Sequence, residues 1–129
     1  MQNWFEHAII YHIYPMGFCD APKVNTGGEP GQRLDKVLEI LPRLKEMNVD
    51  TVYFGPVFES VSHGYDTTDY RCIDRRLGTN EGFARICKTL HENGIRVILD
   101  GVFNHVGRSF PQFTDIQKNG QNSPYCGWV

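Results

Sequence analysis

A chain of 129 residues fits one domain rather than two, on the usual scale of roughly 100 to 200 residues per domain. Its residues are 40% hydrophobic, 22% charged and 12% aromatic, enough to bury a core, which excludes the charge-rich, aromatic-poor make-up of a disordered segment. Thirteen Lys and Arg against fifteen Asp and Glu leave a net charge of -2 with no basic run, so nucleic acid is not an expected partner.

In chain order, Met1-Gln2-Asn3-Trp4-Phe5-Glu6-His7 carries neither the basic region nor the cleavage site of a secretory leader, which predicts a cytoplasmic location. No apolar run approaches the roughly 18 to 20 residues that cross a bilayer, so no membrane partner is expected. The β-branched and aromatic residues near 8–15 predict a first strand, closed by Pro15. Pro22, Asn25, Gly27, Gly28, Pro30 and Gly31 make the next stretch a loop. Leu34, Val37, Leu38, Leu41, Leu44 and Met47 then return to one helical face, predicting a helix near 33–47. Pro42 should kink that helix or begin its second half, because proline lacks a backbone donor and crowds the preceding turn.

Asn48 suits a left-handed helix stop, and Val49 to Phe54, ended by Gly55-Pro56, predict a second strand near 49–55. Phe83, Ile86, Cys87 and Leu90 predict a second helix near 80–93, capped by Thr79 or Asn80 and stopped by Gly94. Ile95 to Asp100 predict a third strand near 95–100, and residues 106–129 are expected to be loop. Cys19, Cys72, Cys87 and Cys126 lack the paired spacing of a zinc site and the density of a disulfide scaffold. They are expected to be reduced thiols in or near packing surfaces.

The segment from Leu44 to Gly55 echoes the segment from Leu90 to Gly101: helix end, tight turn, apolar strand, glycine. Such repeated units imply a parallel sheet covered by helices, either a closed barrel or an open doubly wound sheet. No phosphate-binding glycine fingerprint follows the first strand, which argues against a nucleotide fold.

In these architectures the C-terminal strand ends carry the working residues. Two polar clusters fall there: Glu59 to Tyr70 after the second strand, and Asp100-Gly101-Val102-Phe103-Asn104-His105 at the tip of the third. Asp100 reads equally as a loop cap or a site residue. Tyr65 beside Gly64 reads as loop packing or as an apolar platform for a sugar ring. Asn104 and His105 alone do not define a metal cage.

Taken together, Val52 to Ser60, His63-Gly64-Tyr65-Asp66-Thr67-Thr68-Asp69-Tyr70, Leu77-Gly78-Thr79 and Gly94 to His105 resemble the α-amylase family of glycoside hydrolases. The likeness runs from about Ile9 to Trp128, and Asp100-x-x-x-Asn104-His105 resembles the family's first conserved region. The resemblance implies an α/β fold, with residues 1–129 forming the N-terminal portion, about three βα units, of a (β/α)8 TIM barrel. It implies hydrolysis of α-glucosidic bonds in starch-like or maltodextrin substrates with retention of configuration.

For the matching positions, Tyr65 would stack under the sugar at the cleavage point and His105 would hydrogen-bond that sugar's hydroxyls. Asp100 would orient neighbouring polar groups, and His63 would line the same site. Asn104 matches a calcium-ligand position in the members that bind calcium; no other cofactor is implied. Ser62 stands where exo-acting members often carry an acid, which favours maltodextrin or starch-like substrates.

Retaining hydrolysis needs two carboxyl groups about 5 to 5.5 Å apart, and the family carries them, with a third acid, on strands four, five and seven. None of these is expected within this chain, so the piece alone is predicted to be inactive. The motifs leave α-amylase, cyclomaltodextrinase, neopullulanase and transglycosylase activities open. A non-catalytic carbohydrate-binding piece and an unrelated open α/β domain are the alternative readings. Three strands cannot close a barrel, so open sheet edges are expected to drive self-association or to add strand-like structure after Phe110.

Overall fold

The computed structural model describes residues 2–128. A 3-10 turn at Trp4–His7 leads into β1 (Ile10–Ile13), followed at once by the short helix α1 (Pro15–Phe18). After the long loop and a 3-10 turn at Arg33–Asp35 come α2 (Lys36–Glu39), α3 (Leu41–Glu46) and β2 (Thr51–Phe54). A hairpin of β3 (Phe58–Ser60) and β4 (Thr67–Ile73) precedes α4 (Asn80–Glu92) and β5 (Arg96–Leu99), and α5 (Pro111–Asn119) follows. No helix among the described residues is long and apolar enough to cross a membrane.

Three strands form one parallel sheet in the order β1-β2-β5. Register aligns Ile13 with Phe54 and Leu99, and His12 with Tyr53 and Ile98. Because strand side chains alternate, Ile13, Val52 and Phe54 point to the helical side. There they join Val37, Leu44, Ile86 and Leu90 in a single buried core. His12 and Tyr53 fall on the opposite side and stack, with ring centroids 4.6 Å apart.

The internal echo is a physical repeat. In both units a left-handed residue ends the helix, Asn48 at φ 56° and Gly94 at φ 73°. In both, the first residue of the next segment bonds back: Val49 N–H to Leu44 C=O at 3.0 Å, Ile95 N–H to Leu90 C=O at 2.9 Å. These bonds satisfy carbonyls that a helix end leaves orphaned and aim the chain back toward the sheet.

Pro42 restarts rather than kinks its helix: it lies in the first turn of α3, and the break falls at Ile40. Thr79, not Asn80, caps α4, its hydroxyl accepting from Gly82 N–H at 3.0 Å.

Two stretches differ from expectation. The polar segment after β2 is an antiparallel hairpin, with Glu59 opposite Asp69 and Ser60 opposite Thr67. Its charged groups are paired inside the fold: Glu59 Oε1 accepts from Arg75 Nε at 2.8 Å and from Asn25 Nδ2 at 2.7 Å. Residues 106–129 are not simply loop, since Pro111 opens α5 at a position where its missing N–H costs nothing. The segment after Phe110 thus adds a helix, not strand-like structure, among the described residues. All four cysteines are free, and burial pushes the Cys19 thiol up to about 11.

Candidate functional site

The C-terminal ends of the parallel strands deliver Tyr14 after β1, Gly55 and the hairpin after β2, and Asp100 to His105 after β5. Gly55 sits against the Tyr14 ring at this end. Tyr14 reaches across it, and its hydroxyl donates to the His63 carbonyl at 2.8 Å.

The turn between β3 and β4 carries His63 and Tyr65. Gly64 adopts φ 96° and packs so closely on Pro56 that a Cβ would approach within 2.9 Å. Only glycine meets both demands. Beyond it, Tyr65 N–H donates to His63 Nδ1 at 3.1 Å. Tyr65 remains 40% exposed, its ring 6.0 Å from that of His63.

Asp66 closes the turn. Its carboxylate accepts from Ser62 N–H at 3.1 Å and from the Ser62 hydroxyl. Burial alone would raise the Asp66 pKa, but the Ser62 bonds and the nearby His63 outweigh it and hold the carboxyl below its usual range.

Asp100 is half-buried, and its N–H continues the sheet ladder to Phe54 C=O at 3.0 Å. Tyr53 rises toward it. The Tyr53 hydroxyl is pushed up first by burial, then by the charge of Asp100 and its hydrogen bond to that carboxylate, and further by Tyr65. His12 and Tyr53 thus stack on the sheet face opposite the helices, with Tyr53 close enough to Asp100 to feel its charge.

Asn104 and His105 follow β5 and are both exposed. Asn104 Nδ2 lies 3.2 Å from His105 Nδ1, and no other hydrogen bond engages the His105 ring among the described residues. What ties their loop to the hairpin is backbone and Tyr70. The Tyr70 hydroxyl donates to Val102 C=O and lies 3.3 Å from His105 C=O, while Gly107 N–H donates to Thr67 C=O at 2.8 Å. The fold thus gathers His63, Tyr65 and Asp100 through shared neighbours and brings His105 and Asn104 to the same strand ends without a side-chain bond to them.

Among the described residues no three His, Cys, Asp or Glu side chains come together as a metal-holding group. Asn104 stands on the exposed loop after β5, where an amide oxygen could serve as one oxygen ligand of a calcium ion but not as a whole cage. Tyr14, Tyr53 and His12 were not singled out from the sequence; Tyr53 and His12 look like ordinary strand residues until register puts them together on one face of the sheet.

The model of the alpha-amylase catalytic domain matches residues 12–129. A cyclomaltodextrinase from Bacillus sp is 38% identical over 140 residues, covering 97% of this chain and 25% of that protein. An intracellular maltogenic amylase from Bacillus subtilis is 34% identical over 145 residues, covering 98% and 24% respectively. Among solved structures, a cyclic alpha-maltosyl-(1→6)-maltose hydrolase from Arthrobacter globiformis superposes with a TM-score of 0.83 at 30% identity, over 98% of this chain and 32% of that one. The fold is therefore the N-terminal portion of an α/β barrel of the (β/α)8 type. The chain belongs to the alpha-amylase family of glycoside hydrolases, and it spans about a quarter of the length of the curated relatives it matches.

Proposed function

We propose that this chain is the N-terminal barrel portion, residues 1–129, of a retaining glycoside hydrolase cleaving α-glucosidic bonds in starch-like or maltodextrin substrates. Its share of the work is to hold the sugar. The observation that carries this reading is Tyr65: an aromatic ring left 40% exposed on a turn locked by Gly64, in the hairpin that follows β2 at the sheet's C-terminal end. An exposed ring face suits the C–H face of a pyranose. Asp100 supplies fixed negative charge to orient neighbouring donors, and His63 and His105 offer ring nitrogens to sugar hydroxyls. Asn104 would be one calcium ligand only together with ligands from outside these residues, and a cytoplasmic location is part of the same reading, supported by the relative named an intracellular maltogenic amylase.

The chain by itself is proposed to be inactive, because covalent capture and proton transfer need the carboxyl pair of the family's later strands. The 129-residue chain should release no reducing ends from soluble starch above a buffer blank, whereas the full-length enzyme should release the α-anomer first by proton NMR. Starch hydrolysis by the 129 residues that Asp100→Ala removes would defeat the first statement, and β-anomer product the second.

A further inference from the structure

Outside the sugar-facing residues, the most fully engaged polar side chain is Arg76, only 5% exposed and facing an Asp74 carboxylate with no exposure at all. A guanidinium has five N–H donors, and each one here has an acceptor. Nε donates to Asp74 Oδ1 at 2.9 Å. Nη1 donates to Pro22 C=O at 2.8 Å and to Ser62 C=O at 2.7 Å. Nη2 donates to Asp74 Oδ2 at 2.8 Å and to Ser60 Oγ at 3.0 Å.

These acceptors belong to three separate segments: the long loop after α1, the end of β3 with its turn, and the turn after β4. Asp74 reinforces the junction by accepting Ser60 N–H at 3.1 Å, and its own N–H donates to Val57 C=O at 2.8 Å. Ser62, held by its carbonyl, is the residue that grips Asp66 with its N–H and hydroxyl, and it directly precedes His63. Arg76 fixes the neck of the turn from one side, and Tyr14 holds the His63 carbonyl from the other.

We propose that Arg76 is a positioning residue: its five-way bonding sets the conformation of the Ser60–Asp66 turn, and through it the placement of Tyr65 and His63 against substrate. This rests on the reading that the turn holds the sugar. Lysine cannot substitute, because three donors on a single nitrogen cannot span a bidentate carboxylate and two carbonyls on different segments.

The test is Arg76→Lys in the full-length enzyme, read by hydrogen–deuterium exchange and by kinetics on maltooligosaccharide. Exchange within residues 61–66 should rise about ten-fold while residues 51–54 keep their protection. Turnover per folded enzyme should fall about ten-fold or more in kcat/KM, mainly in kcat, as expected when a reacting sugar is displaced by an ångström or less. Should Arg76→Lys fail to fold, Ser60→Ala removes a single acceptor and should give the same contrast at smaller size. Unchanged exchange in 61–66, an equal rise in 61–66 and 51–54, or a loosened turn with unaltered kcat/KM would each overturn the assignment. A wild-type enzyme inactive on every α-glucan would instead defeat the functional reading alone, and the exchange contrast would still decide whether Arg76 sets the turn.

Discussion

Asp66 is the residue whose charge the turn most visibly uses. Its carboxyl lies below its usual range in the folded chain, so the folded state favours the ionised form. The sign follows directly: a depressed folded pKa stabilises above the unfolded value of about 3.9 and ceases to do so as pH falls through the folded value. Asp66→Asn should therefore lower the melting temperature at pH 7, while at pH 3 the variant and the parent should draw together. A penalty for Asp66→Asn as large at pH 3 as at pH 7 would mean that shape, not charge, explains the Ser62 contacts. The effect belongs at the small end for a charged hydrogen bond, because Asp66 is only partly screened from water.

The two elements that matter most for the site, the hairpin and the loop after β5, are joined at Gly107. A Cβ there would lie 2.5 Å from Asp66 C=O, and Gly107 N–H already bonds Thr67 C=O. Gly107→Ala should cost about 1 to 3 kcal/mol by forcing the two backbones apart, measured by denaturant unfolding, and loss below about 0.5 kcal/mol would show that the loop yields freely. The parallel strands, α4 and the broken α2–α3 stretch are legible in the sequence because their apolar residues follow the periods of strand and helix. The placement of Tyr65, Asp100 and His105 after β2 and β5 is legible because the strand pattern fixes where those strands end. The hairpin is not, since Glu59 and Asp74 are charges turned inward and neutralised by Arg75 and Arg76, which reads as a solvated loop on any hydrophobic pattern. Its one signal is the run of β-formers Thr67, Thr68, Tyr70 and Ile73. The helix α5 offers only Phe113 and Ile116 as a short apolar stripe and buries none of its residues fully, too little to announce it.

At the scale of the whole molecule, the outer edges of β1 and β5 pair with no other strand among the described residues. Exposed apolar groups lie on them or beside them: Ile10 is 48% exposed, Leu99 39% and Phe103 77%. Unpaired edges of this kind recruit strands. We propose that the 129-residue chain associates with a second copy through these edges. Light scattering coupled to size exclusion should give a mass of twice the chain or more, and a clean monomer with a sharp melt would show that the sheet needs no cover.

The account centres on one contact, the Tyr65 ring against the reacting sugar, and the most direct measurement is kcat/KM for maltooligosaccharide hydrolysis by full-length wild-type and Tyr65→Ala enzyme, normalised to the folded fraction. Loss of the platform should lower kcat/KM by about 100-fold, because misplacing the reacting sugar removes transition-state binding. A variant that melts earlier yet keeps its kcat/KM would contradict the account and make Tyr65 a packing residue.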